Sequence, residues 1–136
     1  FYLFIGPKII NSQKSDSLLS TIDIFPTILE LCGIKINQKK IGSSFYDFLL
    51  GKQSSPNYKE FTFSETGALH GPYTSPEKHN VFCVKTKDYK LMYNKDNDEW
   101  SLFNLLDDPK ETKNIFATGV KAEKKLKNKL LNWINR

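Results

Sequence analysis

The sequence is poor in the residues that most often carry chemistry. Among 136 residues there are two histidines, His70 and His79, and two cysteines, Cys32 and Cys83. No C-x-x-C pair occurs and neither histidine stands at ligand spacing from a cysteine, which excludes the common structural zinc sites. Both cysteines lie in apolar company, one on an expected helix and one on an expected strand, so both are expected as buried free thiols, with a disulfide between them as the alternative. A glycine-rich phosphate loop is missing, as are G-x-S-x-G, H-E-x-x-H and any serine, histidine and aspartate set at triad spacing. No uncharged apolar run reaches the ~18 residues of a membrane span, and the opening FYLFIGP does not read as a secretion signal. An N-glycosylation sequon is also lacking. The chain opens on Phe1 in an apolar run, from which a piece of a longer polypeptide is expected.

What is present belongs to a folded protein. A hydrophobic content of 39% with 13% aromatic residues is enough for a core. The charge is unevenly placed: Gly119 to Arg136 holds five lysines and one arginine against Glu123, which accounts for the whole net charge of +5. Ala122, Leu126, Leu130 and Trp133 mark one face of a helix there, so the lysines are expected on its solvated face, with a polyanion or membrane-surface role as the alternative. With Trp133 the sole aromatic residue among them, no nucleic-acid partner is expected.

Period and punctuation give the elements. Residues 1–5 read as a strand, followed by a polar loop. In STIDIFPTILELCGI the apolar residues Ile22, Phe25, Ile28, Leu29 and Cys32 recur at helical spacing, and Gly33 is a stop signal. Pro26 lies inside this pattern, where a proline costs about 3 kcal/mol unless it falls in the first turn, so the helix must begin late or bend. A short helix is expected at 44–51, ended by Gly51. Alternation then predicts strands at 59–65, 80–86, 89–94 and 99–105, the last three joined by tight polar links as in an antiparallel meander. Residues 1–56 and 57–136 are expected as separate regions.

Two acidic features invite a metal reading. The KDNDEW turn lacks the glycine and distal glutamate of an EF-hand loop and reads as a hairpin turn. Asp23 with Thr27 could form a metal pair, but Asp23 falls in a first turn where a carboxylate suits the helix dipole, and with Ser20 it makes a capping-box-like pair.

The same segment, STIDIFPTILELCGI, resembles the D-(apolar)-x-P-T stretch of the sulfatases, within the alkaline-phosphatase superfamily, and further blocks resemble that family in the same order. YLFIGPKI is similar to its apolar run followed by G-P-G-I, and IGSSFYDFLLGK to its G-x-S helix. VKTKDYKLMYN resembles a V-R-T-x-x-Y-K strand pair, and SLFNLLDDPKETKNI resembles E-L-Y-D-L-x-x-D-P-x-E-x-x-N. In that last block Leu102, Phe103, Asn104, Leu105, Asp108, Pro109, Glu111 and Asn114 hold the family spacing, with Asn104 in place of an aspartate. The C-x-P-S-R or S-x-P-S-R nucleophile motif of the family is absent from this sequence.

The resemblance implies an α/β fragment, α+β as seen: the end of an alkaline-phosphatase-like α/β domain plus a small four-stranded antiparallel sheet with a carboxy-terminal helix. It implies a sulfuric ester hydrolase as parent, acting on a sulfate-ester substrate, with a divalent metal (calcium or magnesium) and a formylglycine nucleophile both upstream of this chain, and an exported parent protein. No catalytic or metal-ligating residue is expected here, and Asp23 is expected to cap a turn. His70, in the long connection Ser64 to Asn80, is the expected substrate-binding residue; His79 is weaker. Within the Leu102 to Ile115 block, Glu111 and Asn114 are expected to bond backbone groups of the turn. A phosphodiesterase or phosphonate hydrolase of the same superfamily, and a non-catalytic α+β interaction module with a basic helix, are the alternatives.

Overall fold

The structure, a computed structural model, describes residues 4–6, 9, 14–34, 42–56, 59–66 and 80–136. The chain divides into two compact units, Phe1–Lys59 and Glu60–Arg136.

In the first unit a 3-10 turn at Thr21–Asp23 runs into helix α1, Ile24–Leu31. The helix begins late, as Pro26 requires: the proline sits in its first turn, where its missing N–H breaks no established ladder. Gly33, at φ 75°, ends the helix in the left-handed conformation. Helix α2 is a single turn, Tyr46–Leu49. Its Phe45, Phe48 and Leu49 form the buried cluster of this unit, joined by Phe4, Ile9, Leu19 and Leu31. Phe4 meets Phe45 edge-on at 5.2 Å between ring centres. Phe4 and Ile5 are not in a strand, and the rest of the strand expected at 1–5 lies outside the described residues.

The orientation of α1 departs from the apolar pattern. Ile22, Phe25 and Ile28 are 50%, 64% and 46% exposed, whereas Asp23, Pro26 and Thr27 are buried. Cys32 is exposed as well, in contrast to the buried thiol expected. The physical reason lies in Asp23 and Thr27: their polar atoms have backbone partners on that side, so the helix buries its hydrogen-bonding edge within this unit.

In the second unit four antiparallel strands follow one another in chain order: β1 Thr62–Thr66, β2 Val81–Lys85, β3 Tyr89–Asn94 and β4 Glu99–Asn104. This is the meander that the tight links Lys87-Asp88 and Lys95 to Asp98 predict. The register sets Phe63, Val84, Leu91 and Leu102 across one row and Phe82, Tyr93 and Trp100 in the next. Helix α3, Lys121–Ile134, covers that face with Leu126 and Leu130. Val84, Leu91, Leu102 and Leu130 are wholly shielded from water. Trp133 stacks on Phe63 at 5.2 Å and meets Phe82 edge-on at 6.5 Å, which closes the β1 side of the core.

Candidate functional site

Asp23 is the most heavily bonded side chain among the described residues of the first unit. Its Oδ2 accepts from the Ser20 amide at 2.8 Å, the bond that a capping-box pair requires, and its Oδ1 accepts from the Ser43 amide at 2.7 Å. The Lys59 ammonium donates to both oxygens, at 2.5 and 2.6 Å. The carboxylate is wholly buried and Lys59 is 20% exposed. Every lone-pair direction that a metal would need is therefore occupied by a proton donor. Thr27 is committed in the same way: its hydroxyl donates to the Asp23 carbonyl at 2.6 Å and accepts from the Phe45 amide at 3.1 Å. Together Asp23 and Thr27 tie the start of α1 to the loop that enters α2. Gly42, at φ 86°, passes so close that a Cβ would lie 2.2 Å from the Ile22 carbonyl oxygen. That carbonyl is the one that Pro26, four residues on, cannot reach with a donor.

Sequence reasoning placed Asp23 at a turn but missed Lys59, 36 residues away in the chain. No local pattern links them. Among the described residues no group of three His, Cys, Asp or Glu side chains could hold a metal ion.

His70 and His79 both lie outside the described residues. The stem of their connection is described. The Asn80 amide donates to the Thr66 carbonyl at 3.3 Å, and the Asn80 carbonyl accepts from the Lys95 amide at 2.7 Å. Its side-chain amide donates to the Asp96 carboxylate. The connection therefore leaves the sheet at the end occupied by the turn between β3 and β4, and Asn80 pins it to that turn.

The block after β4 is a cover for an open sheet edge. The outward-facing amide of Leu102 donates to Asn114 Oδ1 at 2.9 Å, and its carbonyl accepts from the Ile115 amide at 2.8 Å. Asn114 also accepts from the Phe116 amide at 3.0 Å and donates to the Trp100 carbonyl at 3.1 Å. Asn114 thus bonds backbone as expected. Glu111 does not: at φ 56° its carboxylate accepts from the Lys90 ammonium at 2.6 Å. A long side chain leaving a left-handed backbone position reaches the neighbouring strand rather than its own turn. Asp108 accepts from the Lys113 amide at 2.8 Å and the Thr112 hydroxyl at 3.0 Å. Backbone donors, that of Lys113 foremost, hold its carboxyl below the usual carboxylate range. Burial pushes the Cys83 thiol up, against the opposing charge of Lys90, so this cysteine is not an activated nucleophile.

The four-stranded sheet with its covering helix has clear counterparts among solved proteins. A 2-O GAG sulfatase superposes with a TM-score of 0.76 at 24% identity, over 96% of this chain and 28% of that one. Its fold is that of the alkaline-phosphatase-like sulfatases. The family model described as N-sulphoglucosamine sulphohydrolase, C-terminal, matches residues 3–136, and the chain belongs to that sulfatase family. Among individual relatives, the N-acetylglucosamine-6-O-sulfatase of Bacteroides thetaiotaomicron is 30% identical over 125 residues, 87% of this chain and 21% of the relative. Arylsulfatase K of Bos taurus is 30% identical over 141 residues, 98% of this chain and 25% of the relative. The chain thus spans about a quarter of the length of the relatives it matches.

Proposed function

We propose that this chain supplies the carboxy-terminal part of a sulfuric ester hydrolase that acts on sulfated sugars. The observation that carries the reading is the family match over residues 3–136, which takes in the Asp23 segment, the strand pair and the Leu102 to Ile115 block in one order. The sugar substrate is supported by the names of two similar proteins, an N-acetylglucosamine-6-O-sulfatase and a 2-O GAG sulfatase. In this reading residues 1–56 end the α/β domain and residues 57–136 form the carboxy-terminal antiparallel-sheet subdomain with its terminal helix. The parent protein is exported.

The divalent cation, calcium or magnesium, and the formylglycine nucleophile belong in this reading to residues outside the sequence. Asp23 is committed to Lys59 and two amides, and the donor set of a cation site does not converge among the described residues. The part this chain plays in turnover is then to bound the substrate. We assign that role to His70, as a donor to a sulfate or sugar oxygen, because the connection that holds it is the longest between strands and is pinned at its base by Asn80.

The experiment compares the isolated chain with the intact parent on a chromogenic aryl sulfate and an aryl phosphate, with calcium or magnesium present. The isolated chain is expected to turn over neither; metal-dependent turnover by it would overturn the fragment reading. The intact enzyme is expected to prefer the sulfate, and a preference for the phosphate would favour the phosphodiesterase alternative. In the intact enzyme His70→Ala should lower kcat/KM by the equivalent of about 1 to 3 kcal/mol with little change in Tm.

A further inference from the structure

The exposed residues of α3 are Lys121, Lys124, Lys125, Asn128, Lys129 and Asn132. At 100° per residue they fill an arc of about 140° around the helix. That arc contains no carboxylate, no hydroxyl and no apolar side chain. The opposite side of the helix is spent on the sheet, where Leu126 and Leu130 are buried and Ala122 and Trp133 pack against them. The helix's own acid, Glu123, is turned to the Ala117 amide at 2.9 Å. Among the described residues one outside acid is seen to reach the arc: Glu60 pairs with Lys125.

Aromatic rings lie beside two of these ammonium groups and beside that of Lys127, next to the arc. Lys125 and Lys129 lie 5.2 and 5.4 Å from the centre of the Phe61 ring. On the other flank Lys127 lies 4.6 Å from the Trp100 ring centre and 5.6 Å from that of Phe116. A ring occupies one side of an ammonium and leaves its remaining N–H groups directed outward. Lys121, Lys125 and Lys129 recur every four residues, so their positions repeat at about 6 Å along the axis.

We propose that the outer face of α3 binds a polysulfated polysaccharide. Lysine offers compact point charges to sulfate groups, and the interleaved asparagine amides offer donors to sulfate oxygens and acceptors to sugar hydroxyls. A membrane surface would require apolar side chains on the same face, and single-stranded nucleic acid would require an exposed ring for base stacking; the arc has neither. The choice of polymer rests on the sulfated-sugar reading, but the binding itself does not depend on turnover.

The test measures binding of the full chain to heparin, as the polysulfated probe, against unsulfated hyaluronan and duplex DNA at matched ionic strength. A triple variant, Lys121→Gln with Lys124→Gln and Lys129→Gln, is compared with a triple variant of equal charge, Lys87→Gln with Lys95→Gln and Lys110→Gln. The native chain is expected to bind heparin with an affinity that falls steeply with salt, as for any linear polyanion that releases counterions. The helix variant should bind about tenfold more weakly in ~0.1 M salt and the control variant within about twofold of native. Circular dichroism and Tm check that both variants remain folded. Equal loss in the two variants would reduce the effect to net charge, and DNA or hyaluronan binding as tight as heparin would remove the sulfate selectivity; either overturns the proposal, as does failure of the native chain to bind. None of these outcomes bears on aryl sulfate turnover by the parent enzyme, so the two readings fail separately.

Discussion

Asp23 joins three chain segments at a point that water does not reach. Ser20 and Ser43 bring backbone amides to it and Lys59 brings an ammonium. Replacing the carboxylate by a neutral amide, Asp23→Asn, leaves Lys59 largely buried without its counter-charge, which typically costs about 3 kcal/mol or more. Lys59→Met should cost at least as much, because it leaves the wholly buried carboxylate without its counter-charge, whereas the Lys59 ammonium is 20% exposed and can turn to water. Urea midpoints of the two variants check the order. A second residue-scale prediction concerns Gly42. An alanine there would hold φ 86° with its Cβ 2.2 Å from the Ile22 oxygen, a backbone atom that cannot swing aside. The left-handed position alone costs about 1 to 2 kcal/mol, and the displaced loop would also weaken the Ser43 bond to Asp23. Gly42→Ala is therefore expected to lower Tm more than Gly119→Ala, where φ is 85° but no atom lies within 4 Å.

Strand β4 lies at the edge of the sheet, and an edge strand left open is a template for pairing with another chain. Asn114 closes it by accepting from two amides and donating to the Trp100 carbonyl. Asn114→Ala should cost about 2 kcal/mol through these lost bonds and raise the tendency to aggregate, measured by thermal unfolding and light scattering. Asn114→Asp should fall between, since it keeps the acceptor and loses the donor. The Asp108 turn adds a pH dependence. Its carboxyl is held below the usual range in the folded state, so its stabilising effect is complete above the ordinary aspartate value and is lost as pH falls through the depressed one. Asp108→Asn should flatten the stability profile between about pH 5 and pH 2 and leave its shape near neutrality unchanged.

These elements differ in how far the sequence shows them. Strands β2 to β4 alternate, carry aromatic and β-branched residues, and are joined by short polar links, so local pattern is enough; β3 is found at residues 89–94 as predicted. The face that α1 buries could not be read in this way. Its apolar spacing points to Ile22, Phe25 and Ile28, and its buried side is decided by partners at Ser43, Phe45 and Lys59 that lie 18 to 36 residues away. Glu111 failed for a similar reason, since a positive φ at a glutamate has no composition signal.

At the scale of the whole molecule, the two-unit division gives each part its own buried cluster, one around Phe45 and Phe48 and one around Leu91 and Leu102. The order of the strands in the second unit bears on how that unit comes together in time. Every pairing joins neighbours in the chain, so the search is local and assembly should be fast for a β structure. The pairings are not equally easy. The β2 to β3 and β3 to β4 links are short, whereas β1 waits for closure of the connection through residues 67–80. Closing that longer span costs about 1 kcal/mol more in chain entropy. The β2–β3–β4 hairpins should therefore protect their amides from exchange first, with β1 added last at the side where Phe63 meets Trp133. The same strand should be the first to detach when the sheet opens.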